Sequence, residues 1–146
     1  MKNKGTLLGA FTGTLILLFI GFTLQAQEVV TIEDVAAAVE KHIMDNTNDG
    51  VYKLDDKVGK QQLSLKHTGL HKSKLMKMSD EVFVMCADFI SVDSSITYDV
   101  DYIVAGKKGS LKTTSMMLHK QGDDVRHSWE KDGDYYKMKR DDVKMK

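Results

Sequence analysis

The sequence predicts an α+β domain, with one N-terminal helix packed on a curved antiparallel sheet of five to seven strands. Three observations predict it. Residues 31–46 place apolar side chains at spacings of three and four, the apolar period drops to two after Gly50, and turn signals then recur at the intervals of a meander. With no proline in the 146 residues, every turn relies on Gly, Asp, Asn or Ser. A single amphipathic helix ahead of so many strands must bury its stripe against one sheet face, and a sheet bent around it does so most fully.

The helix runs from Thr31 to about Asn46, with Ile32, Val35, Ala36, Val39, Ile43 and Met44 on its stripe. Thr31 is placed to cap it, while Glu33 and Asp34 suit the positive end of the helix dipole. The run NTNDG stops it, because Asn and Gly tolerate the left-handed backbone of helix ends. Strands are expected at Val51–Leu54, Gln61–Thr68, Val82–Ile90, Ile96–Val104 and Leu111–Lys120. Two more, Arg126–Glu130 and Tyr135–Lys139, flank Asp132-Gly133 as a hairpin. The third is apolar on both faces and is expected at the centre of the sheet. The fourth alternates Tyr98, Val100 and Tyr102 with Asp99 and Asp101, so the tyrosines should face the helix.

Residues 1–26 have the layout of a secretory signal peptide. Lys2 and Lys4 precede an uncharged run from Thr6 to Leu24, and Ala26 marks the expected cleavage point. The alternative is an uncleaved membrane anchor, since the run approaches the roughly 20 residues a spanning helix needs. The leader holds two of the 21 basic residues and none of the 21 acidic ones, so residues 27–146 form one domain of formal charge −2. That balance excludes a nucleic-acid partner, which selects a basic face. Cys86 is the one cysteine, so no intramolecular disulfide forms, and VFVMCADF reads as a buried strand in which it is a small hydrophobe.

DNTNDGVYKLDD, residues 45–56, sets Asp45, Thr47, Asp49, Gly50 and Asp56 at positions 1, 3, 5, 6 and 12 of a calcium loop. The exiting helix is missing, Lys53 is a cation at position 9, and Asp56 is shorter than the usual Glu, so the stretch is expected to be a helix stop, an Asp-Gly turn and a strand. His67 and His71 share a four-residue spacing, but Gly69 and the strand before it argue against a helical metal pair. Met76 and Met78, with Met116, Met117 and His119, offer soft ligands of the kind copper(I) selects, though such methionines also serve as core packing. The basic stretch HKSKLMK at 71–77 reads as a solvated loop.

Asp99 and Asp101 share one strand face, and His119 on the next strand lies within ladder reach of Asp99. Two carboxylates and an imidazole perform acid–base chemistry when burial or like charge moves a pKa toward neutrality. The ordinary expectation for them is a solvated face or the underside of a second layer. No nucleophile elbow, phosphate loop, dinucleotide fingerprint or zinc motif occurs, so no cofactor is expected.

The succession CADF at 86–89, YDVDY at 98–102 and LHK at 118–120, after a capped helix and NDGVY at 48–52, resembles a family of small exported bacterial domains without assigned activity. The likeness covers most of residues 31–137 and implies export and a cystatin-like or nuclear-transport-factor-like shape. The expected function is therefore non-catalytic: an exported, periplasmic or secreted domain that binds a small molecule or an envelope protein through the open side of its sheet. The alternatives are a small enzyme using Asp99, Asp101 and His119, and copper binding by the Met and His clusters. Membrane contact is expected only through an uncleaved N-terminal segment.

Overall fold

A computed structural model describes residues 28–73 and 75–140. The leader expected over residues 1–26 lies outside the described residues, within which no helix is long and apolar enough to cross a membrane. Helix α1, Ile32–Asp45, opens on a reciprocal cap: the Asp34 amide donates to the Thr31 hydroxyl at 3.2 Å, and the Thr31 amide donates to the Asp34 carboxylate at 2.8 Å. Val35, Ala36, Val39 and Ile43 are its buried residues, whereas Met44, placed on the same stripe by its spacing, is exposed.

Ten strands follow among the described residues: β1 Thr47–Asn48, β2 Val51–Asp56, β3 Gln61–Leu70, β4 Met76–Ser79, β5 Val82–Ser91, β6 Thr97–Ala105, β7 Lys112–Gln121, β8 Asp124–Val125, β9 Ser128–Asp132 and β10 Tyr135–Lys139. The first eight form one antiparallel sheet in the order β1-β2-β3-β5-β6-β7-β8, with β4 paired to β5 below β3. The last two form a separate hairpin. This corrects the expected fold class. The described residues are mostly antiparallel sheet, with one helix and an eight-stranded sheet, and not the five-to-seven-stranded α+β domain, cystatin-like or nuclear-transport-factor-like, that the periodicity suggested. The reason is physical: β1, β4 and β8 are two to four residues long, too short to show a period, and β4 begins inside the 71–77 stretch read as a solvated basic loop.

The two faces of the sheet differ in chemistry. Toward α1 stand Phe83, Met85, Ala87 and Phe89 of β5 and Tyr98, Val100, Tyr102 and Val104 of β6, all buried in one core with Tyr52, Leu54, Leu63 and Leu65. At roughly 25 cal/mol per Å² of apolar surface, this layer supplies most of the driving force for folding. The opposite face of the same two strands carries Cys86 and Asp88 on β5 and Asp99 and Asp101 on β6. The sheet also bends strongly. Arg126, just past β8 at one edge, forks onto Asp56 of β2 near the other edge, at 2.5 and 2.8 Å. Such a contact between opposite ends of a sheet requires it to curl around its core.

Candidate functional site

Asp101 sits at the middle of the central strand β6, on the face away from α1, and is fully buried. What covers it is the segment leading into the β9–β10 hairpin. His127 Nε2 donates to Asp101 Oδ2 at 2.8 Å and Trp129 Nε1 donates to the same oxygen at 2.7 Å. The two side chains reach one carboxylate because residues two apart on a strand point the same way. The hairpin is held by a two-residue turn, Gly133-Asp134, whose first residue has φ +62°, as a type II′ turn requires. The turn thus falls one residue later than the Asp132-Gly133 pair suggested.

His119 arrives from β7. The ladder shifts there, with Asp99 opposite Lys120 and Val100 opposite Leu118, so His119 is the extra residue of a β-bulge. Its Nδ1 lies 3.5 Å from Asp101 Oδ2 and 3.8 Å from Cys86 Sγ. Its ring stacks on that of His127 at a centroid distance of 4.8 Å. Cys86 and Asp101 are direct ladder partners, as are Asp88 and Asp99. His71 Nε2 meets Asp88 Oδ2 at 2.7 Å, so a polar row crosses the sheet from exposed His71 through Asp88, Asp99 and His119 to buried Asp101.

Each group in that row feels its neighbours. Burial pushes the Asp101 carboxyl up, but hydrogen bonds from His119, His127, Cys86 and Trp129 outweigh it and hold the group well below the usual carboxylate range. The Asp101 bond in turn raises His119 against the opposing effect of burial. Asp99 is raised by burial, then by the charge and hydrogen bond of Asp88. The Cys86 thiol is pushed far up by burial and by the charge of Asp101, with Asp99 and Asp88 adding to it. A nucleophilic cysteine needs the reverse. Moreover, Cys86 and Asp101 address the same ring nitrogen of His119, whereas a relay needs the nucleophile and the orienting acid on opposite nitrogens of the base.

The three acid–base candidates, Asp99, Asp101 and His119, are therefore brought together, but Asp101 is not on a solvated face. It is buried under a second layer. The Met candidates are not brought together. Met76 and Met78 lie on β4 and Met116 and Met117 on β7, with β5 and β6 between them, so the two groups are about 14 Å apart at the usual strand spacing. Met116 accepts a 2.7 Å contact from the Tyr52 hydroxyl. His67 Nε2 donates to the Gly69 carbonyl, and His71 is engaged with Asp88, so that pair points to separate partners.

The calcium-like loop is a turn. Asp49 and Gly50, at φ +50° and +76°, form the two-residue connection of the β1–β2 hairpin. Asp56 is held by Arg126 and by the amides of Val58 and Gly59, Lys53 bonds Ser64, and Thr47 donates to the Ile43 carbonyl. Three members of the site were not singled out as such by the sequence: Cys86, His127 and Trp129. The H-x-W spacing of the last two is the one signal that they share a face. Among comparisons with family models, characterised proteins and solved structures, none gives a match to the chain, so its function is read from this geometry.

Proposed function

We propose that this chain is an exported binding domain whose ligand meets the half-open polar row formed by His71, Asp88, Asp99 and His119. The observation that carries the reading is the row itself: ionisable side chains on rigid central strands, graded from exposed at His71 to fully buried at Asp101. Burying a carboxylate costs several kcal/mol unless it is compensated, and Asp101 is buried beneath a lid of His127 and Trp129 that both donate to it. Three carboxylates close together favour a cationic ligand. Binding is preferred to catalysis because the thiol is not activated and His119 is not relayed. Export rests on the leader pattern, with cleavage near Ala26.

The test is an amide-resolved NMR titration of residues 27–146 with spermidine and with zinc chloride. The expected result is saturable shifts centred on His71, Asp88, Asp99 and His119 with at least one of the two. Shifts centred on the far face or spread over the surface, or no shifts with either, would sink the reading.

A further inference from the structure

The polar row points to a particular class of cation. We propose that Cys86, Asp99 and His119 form a binding site for a borderline-soft divalent metal ion of the zinc class, an inference that rests on the row being the ligand surface. A ligand atom from each of these three residues lies within 4.8 Å of the others. Sulfur, imidazole nitrogen and carboxylate oxygen are the donor set that zinc takes, whereas magnesium and calcium take oxygen alone. The spacing fits as well as the chemistry. Ordinary Zn–S and Zn–N bonds at a tetrahedral angle put sulfur and nitrogen about 3.6 Å apart. Cys86 Sγ and His119 Nδ1 are 3.8 Å apart.

A second, independent observation points to a cation-binding role. Asp101 is fully buried, yet its Oδ1 has no hydrogen-bond partner among the described residues, while His127 and Trp129 both crowd onto Oδ2. Asp101 stands beside Cys86 in the ladder and 3.5 Å from the same His119 nitrogen. A metal ion lodged between that nitrogen and the sulfur would set a positive charge beside this carboxylate. The bulge at His119 acquires a purpose on this reading, because it turns the ring into the row. Cys86 forms the floor, while Asp99 and the partly exposed His119 leave the outer side open, so a fourth donor can come from solvent or a bound molecule. Soft copper chemistry is not favoured: Met117 stands opposite Asp101 in the ladder, but Met76 and Met78 lie across β5 and β6 from it.

Cobalt(II) substitutes for zinc and reports its ligands. Titrating reduced 27–146 with cobalt chloride should give one equivalent of tetrahedral d–d absorption with a thiolate-to-cobalt charge-transfer band, and zinc should displace it. Cys86→Ser should abolish the band, and Asp99→Asn and His119→Gln should each weaken binding roughly 10- to 100-fold or more. His67→Ala, whose ring nitrogen is engaged with the Gly69 carbonyl and lies outside the row, should not change it. Asp99 is half-buried, so Asp99→Asn keeps the test valid even where Cys86→Ser does not fold. Three results overturn the proposal. Full-strength binding in both Asp99→Asn and His119→Gln would mean adventitious thiol capture. Spermidine shifting the row while folded protein ignores cobalt and zinc would leave the binding surface standing without the metal. Silence from all three cations would remove both readings.

Discussion

Asp56 and Asp101 are both buried carboxylates on one sheet, and they are satisfied in opposite ways. At Asp56 both oxygens are used. Arg126 forks onto them at 2.5 and 2.8 Å, and the Val58 and Gly59 amides donate to Oδ1 at 3.1 and 3.0 Å. Gly59 is required there, because a Cβ would strike the carboxylate it serves. At Asp101 no arginine or lysine is paired with the carboxylate among the described residues, the His127 and Trp129 donors share Oδ2, and Oδ1 has no hydrogen-bond partner. The first carboxylate is a closed structural latch between the two ends of a curled sheet. The second is held ionised by hydrogen bonds and still leaves one buried oxygen without a partner, an arrangement that a cation-binding site can use.

The comparison breaks most readily at Asp101. Asp101→Ala strands the His127 and Trp129 donors under the hairpin and should cost about 4 kcal/mol, read as a lower urea midpoint at unchanged slope. Asp101→Asn keeps one acceptor and should cost less. A neutral Asp101→Ala would mean that the lid does not depend on the carboxylate. Arg126→Leu comes next, at about 3 kcal/mol, because it leaves the Asp56 charge buried and unpaired. Adding Asp56→Asn should recover part of that loss, since Asn still caps the Val58 and Gly59 amides without the charge. If the double variant is worse than Arg126→Leu alone, Asp56 is not a latch.

How much of this was legible in the sequence depends on the range of the interaction. The Thr31–Asp34 cap and the Asp49-Gly50 turn are encoded within four residues and were readable as such. So was the parity of β6, because Tyr98, Val100 and Tyr102 repeat at the strand period and do face the helix-side core. The fold class was not readable. It hangs on strands of two to four residues and on a hairpin that forms its own layer. Nor was the burial of Asp101, which depends on residues 26 and 28 positions away folding back over it. Nor was the Arg126–Asp56 pair that ties the two ends of the curled sheet, which joins residues 70 positions apart. Cys86 was legible as buried but not as a neighbour of three acids, because a strand apolar on both faces hides which face matters.

Acid should separate the carboxylates by sign. Burial works to raise Asp56, but the Arg126 hydrogen bond and charge and the Gly59 and Val58 amides outweigh it, so its folded pKa lies below the ordinary 3.8. Asp101 is lowered in the same way. The stability each contributes is complete above 3.8 and is lost as pH falls through the folded value. Asp99 is raised, so its ionisation opposes folding once pH climbs past 3.8. Denaturant midpoints followed downward from pH 5 should therefore fall, and Asp56→Asn should flatten that fall. Asp99→Asn should leave the midpoint at neutral pH equal or slightly higher. A fall that persists unchanged in Asp56→Asn would put the acid sensitivity somewhere else.

The smallest expected effect tests the lid over Asp101. Gly133 opens the β9–β10 turn at φ +62°, where an L side chain is disfavoured by about 1 kcal/mol. A Cβ there would meet no other atom within 4 Å, so Gly133→Ala probes backbone strain alone. The strain acts on a hairpin that holds Trp129, the only tryptophan of the chain, against Asp101. Gly133→Ala should therefore raise acrylamide quenching of the tryptophan while the helix signal in circular dichroism stays put, because α1 packs on the other face. The Asp56 end should not respond: the Arg126→Leu penalty measured in the Gly133→Ala background should equal that in the parent within a few tenths of a kcal/mol. Coupling of the two, or loss of helix along with the lid, would show that the hairpin and the curled sheet unfold as one unit and that the two carboxylates are not independent after all.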